Sequence, residues 1–188
     1  MSQENVEIVR KRLQPTQRLS RALDERLAIR FPWLVAASSR LISILRPGSR
    51  LRQAALSRAV LLSMEAYNRR DAEAAAVSWG SDFEYRPDRK WVEAGLVEAC
   101  YRGLAGYRKY IATADEVWGG ANYVMPVELI DLAERIVVLA DVSMRAQASG
   151  VPLTEAYAVV LALKNGKVAG IQEYFDHAEA LKAAGLEE

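Results

Sequence analysis

Two carboxylates, Glu173 and Asp141, sit within runs of alternating apolar residues. A carboxyl group carried into an apolar box is pushed toward neutral pH, where it can give or take a proton. The remaining reactive side chains read as structural. His177 is the sole histidine, with no second ligand or nucleophile near it in sequence, and reads as a surface residue opening a helix. Asp176, with Glu179 three residues on, reads as the N-cap of that helix. The single cysteine, Cys100, excludes an intramolecular disulfide framework and a cysteine-based metal site, and its apolar run suits a buried inert thiol. The chain has no glycine-rich phosphate loop and no metal-ligand cluster, so neither a cofactor nor a metal is expected.

The elements that would position the two acids begin with Asn165-Gly166, set between two β-prone runs. Both positions of such a turn want φ > 0, which makes the pair a strong two-residue hairpin signal. Counting outward, Lys164 pairs with Lys167, Leu163 with Val168, Ala158 with Glu173 and Ala156 with Phe175. Tyr157, Val159, Leu161 and Leu163 then share one face with Val168, Gln172 and Tyr174. The other face carries Ala156, Ala158, Val160 and Ala162 with Ile171, Glu173 and Phe175. Neither is clearly a water face, so a cover is expected on each: helices on one, a second subunit or another layer on the other. The alanine face is expected to line the pocket, because small side chains leave room above the sheet, with Glu173 projecting into it.

A four-residue turn at Ala148 to Val151 would pair Gln147 with Pro152 and set Asp141 opposite Ala158, itself opposite Glu173. At about 4.8 Å per strand the two acids' β-carbons would stand roughly 10 Å apart. Arg135, Ser143 and Arg145 would share this inward face, and Tyr85, Tyr107 and Trp118 would shape the pocket. A structural alternative stays open, in which Asp141 pairs with an arginine and Glu173 is a satisfied polar contact.

Half of the chain is apolar, enough for a real core. No basic, apolar leader opens it and no apolar stretch is long enough for a membrane span, so a reducing cytoplasm is the expected location. Charge is uneven: residues 1–52 hold eleven Lys and Arg against four acids, and residues 53–188 hold fourteen against twenty. The basic part reads as three helices, Ser2 to Leu13, Gln17 to Arg30 and Pro32 to Leu45. Spread arginines favour solvated helix faces, with contact to a membrane surface as the alternative and no nucleic-acid partner expected. Beyond it come a long helix, Leu51 to Arg69, a helix at Ala72 to Trp79 capped by Asp71, a short strand Asp82 to Arg86, a loop Asp88 to Glu93 and a short strand Leu96 to Tyr101. A helix from Gly103 to Val117, with Tyr107 and Tyr110 facing in, leads to four strands: Tyr123 to Leu132, Arg135 to Gln147, Pro152 to Leu163 and Val168 to Phe175. The helix from His177 to Ala184 closes the chain.

This order, together with MEAYNRRDAEAA at 64 to 75, Glu-Tyr-Arg-Pro at 84 to 87, Tyr-Arg-Gly at 101 to 103 and the segment from Asn165 to Asp176, resembles the nuclear transport factor 2-like cone in its SnoaL-like branch. The resemblance covers about residues 53 to 186. It implies an α+β fold with a strongly bent, mostly antiparallel sheet forming a cone, helices over the concave face and extra N-terminal helices, residues 1–52 being an added arm on a domain at 53–188. It names no function, since members range from isomerases and cyclases to proteins that catalyse nothing. Against the epoxide hydrolase branch, Glu173 takes the place of the strand acid, Val137 replaces its partner aspartate, and the water-holding positions fall near Phe83 and Tyr85. Against ketosteroid isomerases the site positions fall on Ser63, Arg86 and Ala156. Both chemistries therefore lack their residues.

Two readings of function follow. One is a domain binding a small apolar molecule, and a homodimer through the face bearing Tyr157, Val159, Leu161 and Tyr174. The other is an isomerase, cyclase or hydratase-type enzyme using Glu173 as general acid/base.

Overall fold

A computed structural model describes residues 9–14, 20–118, 120, 122–145 and 152–186. In chain order the elements are β1 (Val9–Arg12), α1 (Leu23–Arg30), α2 (Pro32–Ser43), α3 (Arg50–Asn68), α4 (Ala72–Ala75), a 3-10 turn (Ala76–Ser78), β2 (Trp79–Arg86), α5 (Arg89–Glu93), β3 (Tyr101–Arg102), α6 (Gly103–Trp118), β4 (Tyr123–Asp131), β5 (Arg135–Arg145), β6 (Pro152–Lys164), β7 (Lys167–Tyr174) and α7 (His177–Ala183). The strands make one curled, unclosed sheet in the order β1-β4-β5-β6-β7-β2-β3. All pairs are antiparallel except β2 with β7. The α+β class and the bent sheet are as the sequence implies.

The hairpin turn forms as its residues require, with φ of 54° at Asn165 and 75° at Gly166. Lys164 faces Lys167 and Leu163 faces Val168, but Ala162 then faces Gly170, leaving Ala169 as an extra residue in β7. This bulge moves the register by one, so that Glu173 faces Val159 and Tyr174 faces Ala158. A one-residue slip exchanges faces. The expected pairing of alanines with Glu173 is thereby overturned: Tyr157, Val159, Leu161 and Leu163 share the concave face with Val168, Ile171, Glu173 and Phe175. The reason is size. The aromatic and branched side chains of β6 bury more apolar area against the helices than alanines could, and the bulge lets β7 turn Ile171 and Glu173 to the same side.

The alanine face is outside. Ala158 packs there with Val137, Leu139 and Ile130 beneath Ala180 and Ala184 at the end of the chain, so α7 is itself a cover for the outer face. Tyr157, Val159 and Leu161, expected on a subunit interface, are core residues, and Tyr174 alone of that set lies on the outer side. The register of β5 on β6 differs by two residues from the expected one, since Arg145 faces Pro152 and Asp141 faces Ala156; residues 146–151, where the turn was expected, lie outside the described residues.

Three further expectations are corrected. Val9–Arg12 is an edge strand on β4, not the end of a helix, with burial alternating residue by residue; residues 2–8 lie outside the described residues. The expected loop at Asp88 to Glu93 contains α5, because the Asp88 side chain accepts from the Lys90 amide at 2.7 Å and caps it. The expected strand Leu96 to Tyr101 shrinks to the two residues of β3.

The concave face is covered by α3, whose N-terminal turn is fixed by a buried ion pair. Arg52 donates through Nε and Nη2 to the two Asp131 oxygens at 2.7 and 2.9 Å, with both residues at most 2 % exposed. Its Nη1 reaches the carbonyls of Ile42, Ser43 and Leu45 at the end of α2, so one guanidinium ties α2, α3 and β4 together. α2 also rests on the hairpin turn: a Cβ added at Gly166 would stand 2.5 Å from the Ser39 carbonyl oxygen. Gly166→Ala should therefore lower stability by about 2 to 4 kcal/mol, from left-handed strain plus the clash. Gly80→Ala, whose Cβ would meet nothing nearer than 3.7 Å, should cost less than about 1 kcal/mol. Urea unfolding of the two variants checks the contrast.

Candidate active site and apolar cavity

β7 carries Glu173 onto the concave face of the sheet, where it is 2 % exposed. β2 brings Tyr85 and α6 brings Tyr110 against it. Their hydroxyls donate to Oε1 at 3.2 and 2.9 Å, while the Asp88 amide donates to Oε2 at 3.1 Å. The Tyr157 hydroxyl is a further hydrogen-bond partner. Burial pushes the carboxyl up from 4.5 to about 7, while the amide and the tyrosines pull in the other direction. Burial, reinforced by the negative charge of Glu173, raises Tyr85, Tyr110 and Tyr157 well above the ordinary phenol value, so all three stay protonated donors.

Asp88 closes the far side of this cage. It is buried, and its Oδ2 accepts from the Phe175 amide at 2.8 Å. Asp88 and β7 thus hold each other twice, once through the Glu173 carboxylate and once through the strand backbone. Asp88 carries a signal as an acid directly after a strand-ending proline, but no spacing rule pairs it with residue 173. The tyrosines were legible as inward-facing: period two on β2, i and i+3 on α6.

Two spaces meet at these tyrosines. The recess beside Glu173, bounded by Trp118, Phe175, Tyr110 and Tyr157, is about 10 Å³, room for at most one water. The larger cavity, about 120 Å³, lies between α3 and the inner sheet face, lined by Leu56, Val60, Met64, Val138, Leu161 and Ile171 among others. Tyr67 and Tyr157 line both spaces, and Tyr85 lines the larger one while holding Glu173. Ser39, Ile42 and Ser43 of α2 flank one end of the larger cavity.

The residues expected from sequence divide accordingly. Glu173 is inside; Tyr85, Tyr107 and Ile171 line the larger cavity; Trp118 and Phe175 line the recess. Asp141, Ala156, Ala158 and Arg135 lie on the opposite face of the sheet from Glu173, so the proposed pair of carboxylates does not form. Arg135 instead donates to the Ala183 carbonyl at the end of α7. Arg145 belongs to β5, and its side chain lies outside the described residues. Val137 points outward; the inward neighbour two strands from Glu173 is Val138, by way of Val159. His177 is half-buried: its Nε2 lies 2.9 Å from the Ala140 carbonyl and 3.0 Å from that of Tyr157. Both are acceptors, so Nε2 carries a proton there. Among the described residues no group of three His, Cys, Asp or Glu could hold a metal ion.

No protein-family model matches the chain, and no curated protein matches it. Solved structures do. One neighbour is TerC co-crystallised with polyporic acid, 22 % identical, with 69 % of this chain and 95 % of that one covered and a TM-score of 0.57. Another is an NTF2-like protein of unknown function from Burkholderia pseudomallei, 25 % identical, covering 66 % and 93 %, with a TM-score of 0.56. A third, from Catenulispora acidiphila, has a ketosteroid isomerase-like fold and is in complex with trimethylamine; it is 15 % identical, covering 69 % and 93 %, with a TM-score of 0.52. The chain has the nuclear transport factor 2-like fold.

The Glu173 cage has a thermodynamic consequence. An unfolded chain titrates this group near 4.5 and the folded protein near 7, so the folded state binds the proton more tightly. Its contribution is fully present below pH 4.5 and declines as pH rises through the window from 4.5 to 7. That window corresponds to about 3 kcal/mol. The stability of Glu173→Gln relative to the native protein should therefore rise by about 3 kcal/mol between the acid and alkaline sides of the window. Urea unfolding across pH measures it, and a difference that does not change with pH would contradict the assignment.

Proposed function

We propose that this protein binds a small, mostly apolar molecule in the cavity between α3 and the inner face of the sheet. The observation that carries this reading is the separation of the two spaces. The roomy cavity is walled by aliphatic and aromatic side chains, while the carboxylate sits beyond Tyr67 and Tyr157 with both oxygens engaged. Apolar cavities of about 150 Å³ take a benzene-sized guest, so a single aromatic ring sets the scale of what fits here. Among the cavity-lining groups, the hydroxyls of Ser63 and Tyr107 offer polar contacts that could orient a guest.

One observation favours a second reading, an isomerase, cyclase or hydratase-type enzyme. Tyr85 lines the cavity and donates to a carboxyl whose pKa is about 7. A proton could pass between guest and Glu173 through that phenol, with Tyr85 donating outward as Glu173 resupplies it.

Titration calorimetry with benzene, a single-ring apolar probe of the size that the cavity allows, tests the binding reading. Binding should be lost in Val60→Phe, which adds volume at a buried cavity-lining position of α3, and should survive in Glu173→Gln with less than about a threefold change in affinity. Benzene binding unaffected by Val60→Phe would remove the cavity from the account. A substrate later found to turn over at the native rate in both Glu173→Gln and Tyr85→Phe would remove the enzymatic reading alone.

A further inference from the structure

α2 has two working sides. Val35, Ala36, Ser39 and Ile42 are half-buried, and Ser39 and Ile42 flank the cavity. On the other side Trp33, Leu41 and Ile44 are 66 %, 64 % and 78 % exposed, with Leu34 beside them and Leu23 and Leu27 of α1 exposed on the preceding turns. Such a concentration of large apolar side chains on two successive helices is not the scattered exposure of an ordinary surface.

The charge of this segment is predominantly positive. Residues 20–52 contain seven arginines and two acids. Both acids are held in ion pairs, Asp24 with Arg58 and Glu25 with Arg69. Arg21 and Arg52 are paired with Asp71 and Asp131. The other five, Arg26, Arg30, Arg40, Arg46 and Arg50, are exposed. Trp, Leu and Ile facing outward with arginines flanking them is the composition of a helix that lies in the headgroup region of a bilayer. A self-pairing of this face would bring the five arginines of each copy together, which charge repulsion opposes. Among the described residues no helix is long and apolar enough to cross a membrane, so contact would be superficial.

We propose that the outer face of α1 and α2 docks on the surface of an anionic lipid bilayer, with Trp33, Leu41 and Ile44 entering the acyl boundary and the arginines contacting lipid phosphates. Because the inner side of α2 flanks the cavity, docking would set one end of that cavity close to the lipid, where apolar molecules partition. The docking itself does not depend on what the cavity holds.

The test uses the full chain with vesicles of phosphatidylcholine alone and of phosphatidylcholine mixed with phosphatidylglycerol. The protein should sediment with the anionic vesicles, its tryptophan emission should shift to the blue, and added salt should release it. Trp33→Ser combined with Leu41→Ser should cut partitioning by at least about tenfold and abolish the emission shift, while leaving the thermal unfolding transition in place. Arg30→Gln combined with Arg40→Gln should weaken binding to anionic vesicles only. The proposal is overturned if the native protein stays in the supernatant with anionic vesicles, or if the apolar double variant binds them as well as the native protein does. It is equally overturned if the native protein is a dimer that ignores vesicles and dissociates in that variant, which would make the face a subunit interface.

Discussion

Between Val168 and Gly170, β7 carries one residue more than β6 beside it, and side chains on a strand alternate with a period of two. Everything beyond Ala169 therefore changes face relative to a hairpin counted straight from its turn. Without that residue, the large side chains of β6 could face α3 only if Glu173 faced outward. With it, Tyr157, Val159 and Leu161 build the core on the same side as Ile171 and Glu173. The bulge reconciles an apolar strand with an acid that must be inside.

An acid placed there needs donors, and the fold supplies them from rigid elements. Tyr85 comes from a strand, Tyr110 from a helix, and the Asp88 amide from the corner between β2 and α5. Each phenol is packed against another ring, Tyr85 against Tyr110 with centroids 4.3 Å apart, so the hydroxyls are fixed before any proton moves. A buried acceptor left without donors would cost several kcal/mol. With this set, Glu173 keeps an ionisable group near neutrality in the interior. The Arg52–Asp131 pair does the corresponding work under α2, holding that helix at the flank of the cavity through three backbone carbonyls.

Much of this was legible in the sequence. The turn at Asn165-Gly166 declared itself through two residues that accept φ > 0, α3 and α6 through their apolar stripes, and Asp71 and Asp176 through their spacing from the amides they cap. Tyr85, Tyr107, Trp118, Ile171 and Phe175 were read as lining residues and border one or other of the two spaces. What escaped was whatever depends on a single backbone irregularity or on distant pairing. Ala169 is an ordinary residue for a strand, so no residue type announced the bulge, and Asp141 was assigned to the wrong side with the alanines. The choice between Tyr-Val-Leu and Ala-Ala-Val as the buried side of β6 could have been settled by apolar size alone. Val9–Arg12 reads Val-Arg-Lys-Arg, with no apolar alternation to mark a strand, and its alternating burial arises only because β4 offers it an edge.

The claim on which the rest turns is that a carboxyl at position 173 is buried beneath tyrosine hydroxyls. Its most direct test is a carbon-13 NMR titration of glutamate carboxyl groups, with the resonance of residue 173 assigned by its disappearance in Glu173→Gln. The account requires that resonance to titrate near pH 7, away from the exposed glutamates. A midpoint in the ordinary range around 4.5 would mean that the side chain reaches water, and would contradict the account.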